Sequence, residues 1–166
     1  MNEQATYHTK HMLHLIDRYP LGKEDPDPFV RHLYETAESC DNPFSQIMGE
    51  YAGNPVGIEF RQSDGERWAF VLPDASEPGR FRVQYFDSRG FSGHFTHNDL
   101  VAAVEDMVRS GYRVKDIGAL DRLSETRQWA AGIESSDLIT RLNSGKIDFA
   151  EFATEQQAIA KKYALA

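Results

Sequence analysis

From residue 56 to residue 95 the apolar residues of this chain recur at every second position, and on either side of that stretch at every third or fourth. The switch constrains the fold more than any other feature. Alternation puts one face of a strand in a core, and 3.6-residue spacing does the same for a helix. Ile58 and Phe60 alternate with Glu59 and Arg61; Trp68, Phe70 and Leu72 alternate with Arg67, Ala69 and Val71; Phe81, Val83 and Tyr85 alternate with Arg82 and Gln84. Ser63-Asp64-Gly65 between the first two runs is a hairpin signal. A longer loop over residues 73–79 leads to the third run, and a turn over residues 87–90 leads into residues 91–95. The pattern predicts a central antiparallel meander of three to four strands.

Helical spacing flanks the meander. Residues 5–18 carry Met12, Leu13, Leu15 and Ile16 as a stripe closed by Pro20, and residues 22–28 form a loop with two prolines and three acids. A second helix is expected from Pro28 to about Cys40, with Phe29 and Leu33 facing inward, and a third from Pro43, capped by Asp41 or Asn42 and stopped by Gly53. After the meander, Asn98 is expected to cap a helix carrying Leu100, Val101, Val104, Met107 and Val108, with Gly111 as the stop. Further helices are expected over 118–131, from Ser136 through Leu142, and from Asp148 onward with Phe149, Phe152 and Ile159 inward. Helices, then strands, then helices predict an α+β fold, since a parallel sheet needs the two to alternate throughout. At 166 residues one domain is expected: a helical, acidic part over 1–53, the sheet over 54–96 and a helical part over 97–166.

Charge limits the partners. The net charge is −8 and is concentrated at the front, where residues 1–53 hold four basic and nine acidic side chains. Such a balance disfavours generic binding to a phosphate backbone. No stretch approaches the roughly 18 apolar residues of a membrane span, and the start MNEQATYHTK lacks a secretory leader's pattern. A cytoplasmic protein is expected, with no membrane partner.

Residues able to do chemistry are scattered. His8, His11 and His14 recur every three residues, but the outer two stand about 120° apart around a helix. Neither HExxH nor a carboxylate at ligand spacing accompanies them, so no metal or cofactor is expected. His94 and His97 flank the last strand, where strand-end and cap hydrogen bonds account for them. Cys40 alone makes no disulfide and reads as an inert thiol. Glu105 and Asp106 read as solvated charges on the outer face of a helix. No nucleophile elbow, phosphate loop or dinucleotide motif is present.

If Trp68, Phe70, Phe81, Val83 and Tyr85 share the buried face of the sheet, then Arg61, Arg67, Arg82 and Gln84 share the opposite one, with Arg80 or Arg89 at the strand ends. Such a surface could hold phosphates or acidic side chains. Glu59 and Glu66 beside it allow cross-strand ion pairs instead.

The runs from Trp68 to Ala75, Glu77 to Asp87, Gly90 to His94 and Gly118 to Leu123 resemble a domain of plasmid, integrative-conjugative-element and prophage proteins, including parts of large polyvalent proteins. The resemblance spans about residues 56–132 and carries no catalytic residues. It implies an accessory protein of a mobile element, a setting that includes anti-restriction and anti-CRISPR inhibitors. The expected function is therefore non-enzymatic: binding and inhibiting a host protein, of the kind that handles nucleic acid in defence. Glu24, Asp25, Asp27, Glu35, Glu38 and Asp41 would meet a basic surface on that partner. Two alternatives are a nucleic-acid-binding or regulatory module using Arg61, Arg67, Arg82 and Arg89, and an enzyme assembled from His94, His97 and nearby acids.

Overall fold

The computed structural model describes residues 24, 26–63 and 65–164. The helix expected over 5–18, with His8, His11 and His14, lies outside the described residues, as does Asp25. The fold is α+β, and its sheet is antiparallel throughout.

Helix α1 spans Pro28–Glu50 without interruption, where the sequence predicts two helices meeting at Asp41 and Asn42. Asp27 caps it by accepting from the Phe29 N–H at 2.8 Å, and Pro28 fits the first turn, whose N–H would be unbonded in any case. Pro43 sits inside and removes one ladder bond. The helix passes through it because Cys40, Phe44, Ile47 and Met48 on either side are all buried in one core, and that packing outweighs a local break.

The strands are β1 (Phe60–Gln62), β2 (Arg67–Pro73), β3 (Phe81–Asp87), β4 (Gly90–His97) and β5 (Tyr112–Lys115), in the order β4-β3-β2-β1-β5. The first four are the expected meander. β5 is additional: it is four residues long, two of them cations, and gives no legible alternation. Helix α2 (Leu100–Arg109) joins β4 at one edge to β5 at the other. Ten residues rise about 15 Å, nearly the roughly 19 Å across four strand intervals, so α2 lies across the sheet and covers it.

Both faces are buried, which corrects the one-core reading. Trp68 pairs with Phe86, Phe70 with Gln84, Val71 with Val83 and Pro73 with Phe81. Directly opposed residues share a face, so the odd loop over residues 74–80 puts Trp68 and Phe70 opposite in sense to Phe81, Val83 and Tyr85. On the first face Ala69, Val71, Val83 and Phe60 pack under α1 and α2, against Phe44, Ile47, Val104 and Met107. On the second, Trp68, Phe70 and Phe86 pack against Ala119 and Trp129.

Those last two residues belong to α3 (Ala119–Ser124) and α4 (Arg127–Asn143). The expected helix over 118–131 is broken at Thr126, whose hydroxyl caps α4 by accepting from the Trp129 N–H at 3.1 Å. α4 then continues through Gly132, where a break was expected. Helix α5 (Phe149–Tyr163) begins as predicted at Asp148, with a capping box to Glu151, and packs along α4. Phe149, expected inward, is exposed and stacks on Phe152.

Candidate interaction surface

Helix α1 is 23 residues, or about 35 Å. Its apolar face runs from Met48 and Ile47 through Phe44 and Cys40 back to Val30. Phe29 stands 18 residues before Ile47, five full turns, and so continues the same face. Phe29, expected inward, is 66% exposed, although its neighbour Val30 is buried. Glu24, Asp27 and Glu35 are exposed as well, Asp27 two residues before Phe29 and Glu35 six after it, about 120° round the helix. Leu33, Glu38 and Asp41 also belong to α1, but their side chains lie outside the described residues. The front of α1 thus carries an exposed aromatic ring, with three of the expected acids exposed before and after it in the chain.

The arginine surface does not form as expected. Arg61 opposes Trp68 and Arg82 opposes Leu72, so both lie on the Trp68 face, whereas Arg67 opposes Asp87 on the other. Arg61 donates to the carbonyls of Gln62 and Gly65, and Arg89 to Asp87 at 3.3 Å. The buried Nε of Arg82 has no hydrogen-bond partner among the described residues. The Asp74 carboxyl beside it is held below its ordinary range by the backbone N–H of Ser76, then by the Thr96 hydroxyl and other donors, with Arg82 adding its charge. Glu59 forms no cross-strand pair with these arginines. It accepts from the N–H groups of Ala119 and Leu120, at 2.7 and 3.2 Å, and so caps α3.

His94 and His97 fall on opposite faces, since they stand three apart on a strand of period two. His97 joins a cluster that sequence reasoning missed. Its Nε2 lies 3.3 Å from Asp106 Oδ2, which also accepts from the Tyr85 hydroxyl at 3.2 Å; Arg109 donates to the other oxygen at 2.7 Å. Asp106 is therefore no solvated charge: its side chain is 16% exposed and ties α2 to β3 and β4. Glu105, also expected outside, is buried. Burial, then the Asp106 charge, push the Tyr85 phenol far above its ordinary value, so Tyr85 stays a neutral donor. The spacing of Tyr85, His97 and Asp106 in sequence gives no hint of this meeting, because only the α2 crossover creates it.

Among the described residues no three His, Cys, Asp or Glu side chains are grouped to hold a metal ion, and no helix is long and apolar enough to cross a membrane. A cleft of about 610 Å³ lies between α4 and α5, lined by Gly132, Ser135, Ile139, Gln156 and Ile159 among others, with Arg89 as the charged side chain in its lining. Comparison with known protein families, curated proteins and solved structures yields no match to this chain.

Proposed function

We propose that this chain is a non-enzymatic binding protein that docks on a basic surface of another protein through the front of α1. The observation that carries this reading is Phe29, an exposed aromatic ring on the first turn of α1, with the exposed acids Glu24 and Asp27 just before it and Glu35 further along the helix. An aromatic anchor with a charged rim is the usual anatomy of a protein interface hot spot. The acids set the partner's sign, and a net charge of −8 favours fast association with a cationic surface.

The mobile-element resemblance supplies the setting of the proposal: an accessory protein that inhibits a host complex handling nucleic acid in defence. Full mimicry of DNA is not part of it. A duplex carries about one charge per 1.7 Å, far denser than three acids on the front of one helix.

Affinity capture from host lysate, with and without nuclease, tests the class. A protein retained after nuclease treatment, and lost with Phe29→Ser, supports the proposal. Retention of nucleic acid alone would favour the arginine reading instead.

A further inference from the structure

The two edges of the sheet are built differently. β5 is four residues long and carries Arg113 and Lys115, the shortness and charge that keep an edge from pairing. β4 is eight residues, Gly-Phe-Ser-Gly-His-Phe-Thr-His, with no Lys, Arg, Asp, Glu or Pro. Among the described residues its outer side has no strand partner, residues 91–95 are all exposed, and Phe91 and Phe95 are 52% and 65% exposed. The single irregularity is a shift in register beside Tyr85 that leaves Ser92 unpaired; residues 93–97 pair regularly with β3.

We propose that β4 pairs antiparallel with β4 of a second copy of this chain, joining two five-stranded sheets into one. A two-fold axis normal to the sheet keeps each face with its like, so opposed residues must share a face. Residues 93–97 then overlap fully when Phe95 meets Phe95 of the second copy at the axis, His94 facing Thr96 and Gly93 facing His97. Two features favour a copy of this chain over a foreign strand. A strand without charges opposes no like charge when it meets itself. Antiparallel pairing also carries Asp99 of the second copy toward the Arg89 end of the strand, where the guanidinium is 73% exposed. Arg89 also holds Asp87 and Asp99 also caps α2, so this attraction adds to bonds already made within each copy.

Sedimentation of the full chain across concentration tests the proposal. Wild type is expected to pass from monomer to dimer within about 300 μM, the range of a weak interface. Phe95→Lys sets like charges opposite each other at the axis and should weaken the dimer by about tenfold or more. Circular dichroism melting establishes that this variant folds. Independently, Phe95→Cys should close a disulfide between copies under mild oxidant, with the buried Cys40 silent. A chain that stays monomeric throughout, or a dimer indifferent to Phe95→Lys and uncrosslinked by Phe95→Cys, overturns the proposal.

Discussion

The indole N–H of Trp68 donates to Asp116 Oδ2 at 2.8 Å, and the other oxygen of that carboxylate holds Arg122 at 2.6 Å. Asp116 lies between β5 and α3, so this one carboxylate fastens the second face of the sheet to the helix that covers it. The indole bond, with Arg122 behind it, holds the Asp116 carboxyl below its ordinary value of 3.8. A depressed carboxyl contributes stability above its unfolded value and loses it as pH falls through the folded one. Stability should therefore drop below about pH 4. Asp116→Asn should flatten that drop in melts between roughly pH 5 and 2.5. An unchanged slope would show the bond carries no linkage. Trp68→Phe, which removes only the donor and some area, should cost about 1–3 kcal/mol.

Burial on both faces predicts that neighbouring residues of β2 are intolerant alike. Phe70→Ala should cost about 3–5 kcal/mol as a cavity. Val71→Ala, on the opposite face, should cost about 2 kcal/mol. Chemical denaturation measures both. A loss below about 0.5 kcal/mol at Val71 would contradict the core under α1 and α2.

Gly132 lies where α4 meets the β3–β4 turn, and a Cβ there would stand 1.7 Å from the backbone oxygen of Arg89. Backbone cannot swing aside as a side chain does. Gly132→Ala should displace α4 at a cost of about 1–3 kcal/mol. A melting temperature equal to wild type would mean α4 does not seat on that turn.

Much of the fold is legible in the sequence because period alone reports it: the meander, α2 and the Asp148 cap stand where their residues predict, although α2 is capped by Asp99, whose carboxylate accepts from the Ala102 N–H, and not by Asn98 as expected. What was not legible depends on relations between distant elements. The faces of β2 and β3 follow from the parity of the loop over residues 74–80, which alternation within each strand does not reveal. Pro43 breaks a helix locally, yet burial of Cys40, Phe44 and Ile47 carries α1 through it. At the candidate surface, the acids Glu24, Asp27 and Glu35 were legible from charge alone. Phe29 was not, because its spacing reads as core, whereas it stands exposed beside the buried Val30.

Metal should be dispensable. Thermal melts with and without a strong chelator should coincide, and a fall of several degrees would contradict this.

The docking of α1 is tested most directly by reversing charge on each surface and measuring association with the captured partner. Glu24→Lys and Glu35→Lys leave the Asp27 cap in place; reversing Asp27 would remove the bond to the Phe29 N–H and confuse binding with folding. The acidic pair should slow association by about tenfold at low salt, with the difference shrinking as screening shortens to about 8 Å at physiological ionic strength. Arg61→Glu with Arg82→Glu should leave the rate within about twofold of wild type. Loss of binding on arginine reversal, with none on acidic reversal, would contradict the account and place the functional surface on the sheet.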